Sequence, residues 1–193
     1  MMATEIIGIT GGIGSGKSVV SRILRILGHA VYDCDSQAKQ LMDGSDCIKS
    51  RIMQEIDRRS VDDLGNINRQ RLSSVVFSDK DALARLNEIV HGAVRQDLLE
   101  WVNRQVAQRV WVETAILYES GLDKIVDKVW HVEAPLEMRI KRVMLRNSVT
   151  RAQVEARIAS QPVVSDHKHP DISLIVNDGK LSLLQRIEGL LSL

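Results

Sequence analysis

Eight consecutive residues, Gly11 to Ser18, satisfy the phosphate-binding pattern G-x-x-x-x-G-K-[ST]. In this pattern glycines let backbone N–H groups close around phosphate oxygens, a lysine reaches the β and γ phosphates, and a hydroxyl binds Mg²⁺. A glycine-rich turn that only joins two elements is the alternative, but such a turn does not need Lys17 and Ser18 in these places. The segment therefore predicts a nucleoside triphosphate ligand, with Mg²⁺ on Ser18. The predicted nucleotide-binding residues of this segment are Gly11, Gly12, Ile13, Gly14, Ser15, Gly16, Lys17, Ser18 and Val19.

Transfer of a phosphoryl group to an alcohol also needs a carboxylate that accepts the proton of the attacking hydroxyl. Asp33 is the predicted base, because it ends the second predicted strand beside the triphosphate. Asp35 has two open interpretations: it is the N-cap of a helix that begins near Ser36, or it contacts substrate or metal. Glu113, at the end of the third predicted strand, is either a Mg²⁺ ligand through water or a buried hydrogen-bonding group.

A row of arginines provides positive charge further along the chain. Arg139, Arg142 and Arg146 are three and four residues apart, which places them on one face of a helix. Such a row is either a phosphate clamp or a solvated surface, and its place after the fourth strand of a nucleotide-binding sheet favours the clamp. The segment Thr150-Arg151-Ala152-Gln153 is typical of a capping box, so a second helix is predicted to begin there. The two helices over residues 139–167 form a predicted lid that excludes water.

The elements around the loop are those that a phosphate site requires. Residues 5–10 are too few and too rich in β-branched side chains for a helix, which predicts a strand. After the loop, apolar residues recur at helical spacing and stop at Gly28; they are Val20, Ile23, Leu24 and Leu27. The loop is therefore predicted to join a strand to a helix whose N-terminus adds a partial positive charge.

Strands alternate with helices over the rest of the chain. Further strands are predicted at residues 30–32, 110–116, 128–132 and 172–176. This pattern predicts an α/β fold, a P-loop three-layer α/β/α architecture with a central parallel sheet of about five strands. Because ligands bind outside the carboxyl ends of parallel strands, the polar groups at these ends are expected to converge on one edge. Those groups are the loop, Asp33, Glu113 and Asn177.

The long interval between the second and third strands is a predicted insertion. Residues 36–108 are mostly helical by their apolar spacing, with Ile48 and Ile52 on one face and a turn near Gly65. The predicted nucleotide-binding core therefore consists of three segments, residues 1–35, 109–138 and 168–193.

Composition narrows the range of partners and locations. The chain has 193 residues, 44% of them hydrophobic, and 26 basic against 25 acidic residues give a net charge of +1. That charge creates no global field for nucleic acid or an anionic membrane, so neither is expected as a partner. The two cysteines match no disulfide or zinc spacing, and no long apolar run or leader is seen. We therefore expect a cytoplasmic protein, a monomer with a homo-oligomer as the alternative.

The sequence resembles the dephospho-CoA kinase family over nearly its full length. The combination of motifs in this order is far more specific than the phosphate loop alone, which very many ATPases and GTPases share. The matching segments are Ile9 to Ser18, Asp33-Cys34-Asp35 with Ala38, Arg71-Leu72 with Val76-Phe77, Leu86 to His91, Ile116 to Gly121, Arg142 with Arg146, Arg157-Ile158 with Gln161, and Asn177-Asp178-Gly179.

The resemblance implies transfer of the γ-phosphate of ATP to the ribose 3′-hydroxyl of dephospho-CoA, the last step of coenzyme A synthesis, with Mg²⁺. It also implies a nucleoside-kinase core, a helical substrate-binding insertion over residues 36–108 and a small lid. By the same resemblance Lys17, Asp33 and Arg142 are catalytic, and the loop holds ATP. Arg146 and Asn177 lie beside the adenine or the phosphates. The predicted substrate-binding residues are Asp33, Asp35 and His91; His91 falls on the family's His-Pro dipeptide, where Gly92 replaces the proline.

Two other functions remain as alternatives. A kinase of another small hydroxylated substrate, such as a nucleoside monophosphate, shikimate or gluconate, would use the same core. A GTP-dependent switch protein would need a guanine-reading N-K-x-D motif, which the sequence lacks. The segment Asp62-Asp63-Leu64-Gly65 matches the switch pattern D-x-x-G, but it lies in a polar turn with no strand before it.

Overall fold

A computed structural model describes residues 4–161 and 169–192. The chain divides into two compact units: the first holds the residues up to Tyr32 and from Gln105 onward, and the second is Asp33–Arg104. The last residues of the predicted lid, 162–167, lie outside the described residues, as do the ends of the predicted core segments at 1–3, 168 and 193.

A five-stranded sheet lies at the centre of the fold. Its strands are β1 (Glu5–Thr10), β2 (Val31–Asp33), β3 (Arg109–Glu113), β4 (Lys128–Glu133) and β5 (Ile172–Val176). All are parallel, in the order β2-β3-β1-β4-β5, which confirms the predicted α/β class and strand number. Ile9 of β1 pairs with Glu113, and Thr10 pairs with His131. This register brings the carboxyl ends of the three central strands to the same edge.

The third strand is shorter than the sequence predicts. It ends at Glu113 rather than at residue 116. The buried Thr114 follows it, and the Oγ1 atom of Thr114 accepts the N–H of Ile116 at 3.2 Å. A threonine hydroxyl that binds a backbone N–H two residues later stabilises a turn in place of a continued strand.

The described residues form helices after the loop, in the insertion and in the predicted lid, as expected, and a further helix after β5. They are α1 (Lys17–Ile26), α2 (Cys34–Gly44), α3 (Asp46–Glu55), α4 (Arg69–Ser78), α5 (Lys80–Asn103), α6 (Leu136–Asn147), α7 (Arg151–Ala159) and α8 (Leu183–Leu191). The capping box before α7 is confirmed, with Thr150 and Gln153 satisfying each other's backbone N–H groups. None of the described helices is long and apolar enough to span a bilayer.

The core of the first unit lies between the sheet and two of these helices. Ile7 and Ile9 of β1 pack with Val20 and Leu24 of α1 and with Ile187 of α8. Gly8 faces the other side of the sheet, where a Cβ atom would lie 3.1 Å from Leu117. Burial of both faces of β1 explains why its residues read as a continuous apolar run.

The second unit is helical over α2 to α5. Its core contains Ile48, Ile52, Leu72 and Ile89, which confirms the predicted shared face of the first two. The predicted turn is also present, since Val61 and Ile67 form an antiparallel bridge around Gly65, whose φ is +77°. The longest helix of the insertion is α5, whose first turn is capped by Asp79.

Candidate active site

The phosphate loop joins β1 to α1 as predicted. Gly16 is the N-cap of α1 with φ +105°, a conformation that favours glycine. No side chain among the described residues caps this helix, and its first turn holds no acidic residue, whereas α2 to α5, α7 and α8 each begin with a side-chain cap. The N-terminus of α1 therefore presents backbone N–H groups and a partial positive charge to an anion.

The loop glycines also permit close packing behind the loop. A Cβ atom on Gly14, whose φ is +77°, would lie 2.6 Å from the backbone oxygen of Arg139 on α6. A Cβ atom on Gly12 would overlap the Arg139 guanidinium, and one on Gly16 would overlap the side-chain amide of Asn177. The sequence assigned these glycines to phosphate binding alone; the structure shows that neighbouring elements also require them.

Both predicted catalytic cations, Lys17 and Arg142, lie against this loop. The Lys17 ammonium donates to the carbonyl oxygen of Gly11 at 2.6 Å and to that of Gly12 at 3.4 Å. The Arg142 guanidinium on α6 donates to the carbonyl oxygens of Gly14 at 3.4 Å and Ser15 at 3.3 Å. The first unit thus gathers two positive charges around the loop, as the chemistry of phosphoryl transfer requires.

Asn177 connects the end of β5 to the same loop. Its side-chain amide donates to the carbonyl oxygen of Ser15 at 2.8 Å, and its Oδ1 and backbone oxygen each accept from Arg142 at 3.4 Å. Arg146 lies one turn further along α6, where it is exposed and donates to Asn147 Oδ1 at 3.0 Å. The predicted arginine face is therefore divided in this structure: Arg139 and Arg142 contact the loop, and the role of Arg146 at the nucleotide stays a prediction.

Three of the remaining predicted site residues, Asp33, Asp35 and His91, belong to the second unit. Asp33 ends β2 and caps α2, since its carboxylate accepts the Ser36 N–H at 3.1 Å and the Ser36 hydroxyl at 2.8 Å. The interpretation of Asp35 as the N-cap is wrong, because the helix begins at Cys34 and places Asp35, exposed, in its first turn. His91 is half-buried on α5. The substrate contacts of these residues stay predictions.

Comparisons with known proteins identify the family. The model of the dephospho-CoA kinase family matches residues 5–182. The chain belongs to this family. A dephospho-CoA kinase of Porphyromonas gingivalis is 41% identical over 155 residues, 80% of this chain and 76% of the relative. A dephospho-CoA kinase of Thermus thermophilus is 35% identical and covers 94% of this chain and 87% of its own length. The resemblance, the fold and the kinase activity predicted from the sequence are thereby confirmed.

Solved structures agree with this membership. A crystal structure from Thermus thermophilus superposes with a TM-score of 0.82 at 34% identity, covering 98% of this chain and 97% of that one. Dephospho-CoA kinase from Campylobacter jejuni has a TM-score of 0.69 at 23% identity, over 97% of this chain and 95% of that one. Shikimate kinase from Acinetobacter baumannii has a TM-score of 0.55 at 12% identity, covering 99% and 93%. The last two likenesses show the shared fold.

A cavity lies beside the phosphate loop of this kinase, within the first unit. It has a volume of about 450 Å³ and borders Gly11 and Gly12. Its charged and polar lining includes Ser15 and Arg139, which the sequence placed at the phosphates, and Tyr118, Glu119, His131 and Gln161, which it did not assign to the site. Several of them lie in the family motifs or in the arginine row, so a signal existed, but the sequence did not show that they surround one space.

The polar groups of this cavity are partly removed from water. Burial raises the pKa of Tyr118, and the nearby carboxylates of Asp123 and Glu119 raise it further. Burial also lowers the pKa of the Arg139 guanidinium, against the opposing effect of the Glu133 carboxylate. An anionic ligand placed here would meet donors that are less screened than those on the open surface.

Proposed function

We propose that this kinase transfers the γ-phosphate of ATP to the ribose 3′-hydroxyl of dephospho-CoA, forming coenzyme A and ADP. Membership of the dephospho-CoA kinase family supports the reaction. The single observation that carries the ATP site is the geometry of the loop, in which an uncapped helix N-terminus, Lys17 and Arg142 surround the same glycine-rich turn. These are the parts that phosphoryl transfer needs for positioning and for charge stabilisation.

A buried hydroxyl in the loop fits a phosphate ligand. Ser15 is 1% exposed, and its Oγ atom has no hydrogen-bond partner among the described residues. A buried polar atom without a partner costs free energy, which a phosphate oxygen accepting its O–H would recover. When ATP binds, we expect the N–H groups at the start of α1 to hold its phosphates.

We infer that Mg²⁺ binds between ATP and the protein. Among residues 4–161 and 169–192, no group of three or more His, Cys, Asp or Glu is placed to hold a metal. Kinases typically bind Mg²⁺ through substrate phosphates and one or two protein oxygens, retaining several waters. The exposed Ser18 hydroxyl in the first turn of α1 fits that kind of site. The ion would neutralise charge on the phosphates.

We assign proton removal to Asp33. Its carboxylate would accept the proton of the 3′-hydroxyl as the oxygen forms a bond to the γ-phosphorus, while the bond to the β-phosphate oxygen breaks and ADP leaves. The Arg142 guanidinium would stabilise the negative charge that develops on the transferred group. Location in the cytoplasm and a monomeric state stay predictions of the sequence.

A coupled assay for ADP with a panel of acceptors tests the proposed function. We expect dephospho-CoA to raise ADP release well above the rate without an acceptor, and adenosine, AMP, shikimate and gluconate to leave it near that background. The product should carry its new phosphate on the 3′-oxygen, which phosphorus NMR identifies. A response to AMP alone would overturn the proposal and favour a nucleoside monophosphate kinase. A preference for GTP over ATP would contradict the nucleotide assignment.

A further inference from the structure

The tip of the phosphate loop, Ile13, contacts α6, α7 and Gln161, which lies two residues after the end of α7. Its backbone N–H donates to Oε1 of Gln161 at 2.9 Å. Its carbonyl oxygen accepts from Nε of Arg139, also at 2.9 Å. Its side chain packs against the apolar cluster of α6 and α7, which contains Ile140, Val143 and Val154. Both backbone groups and the side chain of this residue therefore have partners outside the loop.

The two polar partners of Ile13 also bind each other. Nη2 of Arg139 donates to Oε1 of Gln161 at 3.4 Å, so Gln161, Arg139 and Ile13 form a closed set of hydrogen bonds. We call this set the tip clamp. Arg139 is half-buried, and the Gly12 main chain lies directly against its guanidinium. A guanidinium placed this closely restricts the conformations available to the loop.

We propose that Gln161 and Arg139 are positioning residues, which hold the loop tip so that the N–H groups after it are already arranged for the triphosphate. This inference rests on the proposed function, because ATP is taken as the ligand. A loop that is ordered before binding pays less conformational entropy when the ligand arrives. The clamp should therefore act on ATP affinity, and Gln161 should do so without touching the reacting atoms.

The alternative is that the tip clamp only stabilises the helix pair of α6 and α7. Gln153 offers a matched control, because it is a glutamine in the first turn of α7 whose Oε1 accepts the Thr150 N–H at 3.0 Å. Gln153→Ala removes a hydrogen bond at the other end of α7 and leaves Ile13 untouched. A change in ATP affinity that occurs in Gln161→Ala but not in Gln153→Ala is therefore due to the lost contact with the loop.

Three variants decide the question: Gln161→Ala, Gln161→Glu and Gln153→Ala. Each is measured for ATP affinity by calorimetry, for KM and kcat, and for amide hydrogen exchange of Ile13 without nucleotide. We expect Gln161→Ala to raise the Kd and KM for ATP about tenfold, as for one lost hydrogen bond, with kcat changed less than about twofold. Its Ile13 amide should exchange faster. Gln161→Glu should retain slow exchange, because a carboxylate can accept both bonds. Gln153→Ala should match the parent enzyme in all three measurements.

Two results would overturn the inference. One is an unchanged ATP affinity in Gln161→Ala while the Ile13 amide exchanges faster, which would mean that tip order does not assist binding. The other is an equal loss of ATP affinity in Gln153→Ala, which would mean that the tip clamp only stabilises the helix pair. Neither readout requires an acceptor. A parent enzyme that binds ATP but does not phosphorylate dephospho-CoA would therefore refute the proposed function and leave the clamp intact.

Discussion

Lys17 places its ammonium group against the first carbonyl oxygens of the phosphate loop, at 2.6 Å from that of Gly11. We expect Lys17→Ala to lower kcat at least about hundredfold, because it removes a positive charge that stabilises the negative charge of the phosphoryl group during transfer. The variant should remain folded, since the chain retains its apolar core. Circular dichroism and the coupled ADP assay measure both properties. Lys141→Ala, at an exposed position of α6, is the control and should leave kcat unchanged.

Asp33 has a structural and a proposed chemical role, which one substitution can separate. Asparagine caps helices about as well as aspartate, so Asp33→Asn should retain the N-terminus of α2. It cannot accept a proton, so we expect transfer to fall by about 10² to 10⁴ while ATP affinity is retained. Asp79→Asn makes the same change at the cap of α5 and should not alter the rate. An unaltered rate in Asp33→Asn would refute the base assignment.

Arg142 donates to two loop carbonyls and to Asn177 in this structure. If its main role is in the transition state, Arg142→Ala should lower kcat about hundredfold and change the Kd for ATP far less. Single-turnover kinetics with calorimetry separate the two quantities. Equal losses in rate and affinity would instead indicate a contact made in the ground state. Arg22→Ala, exposed on α1, is the matched control.

At the scale of elements, α6 packs its own backbone against the phosphate loop. Gly14→Ala would place a methyl group 2.6 Å from the Arg139 carbonyl oxygen in a conformation with φ +77°. We expect a loss of about 1–3 kcal/mol in the free energy of unfolding, with weaker ATP binding, because the loop or α6 must move. Thermal melting and calorimetry measure these changes. Gly44→Ala, where an added Cβ meets nothing within 4 Å, should leave both almost unchanged.

At the scale of the whole molecule, several carboxylates favour the charged form in the folded state. The hydrogen bond from Arg71 lowers the pKa of Asp57, and backbone N–H groups lower the pKa of Asp79 and of Asp62 below their ordinary 3.8. A depressed folded-state pKa adds stability that is present above the unfolded value and lost as the pH falls through the folded value.

We therefore expect the contribution of these carboxylates to the free energy of unfolding to be steady above about pH 5 and to decrease as the pH falls below about 4. Urea unfolding from pH 7 to pH 3 measures this decrease. Asp79→Asn keeps a capping side chain but cannot titrate, so its stability should decline less over the same range. A parent stability that stays flat to pH 3, or a variant that declines as steeply, would contradict the linkage.

Short-range sequence patterns predicted most of the fold and part of the site. The phosphate loop, the apolar spacing of α1, the capping box before α7 and the five strands are set by residues within a few positions of each other. These features were predicted within a few residues. Local sterics and hydrogen bonds favour these elements at the observed places, and packing against distant residues stabilises them. The combination of motifs likewise identified the family from the sequence.

Contacts between distant residues could be read only from the folded chain. Gln161 reaches Ile13 across 148 positions, and Arg139 rather than Arg146 joins it there, because the placement of α6 selects which side chains face the loop. The N-cap of α2 is Asp33 and not Asp35, because the helix begins directly after β2. Spacing along the sequence indicates which side chains share one face of a helix or strand. Packing of the strands and helices against one another decides which residues that face contacts.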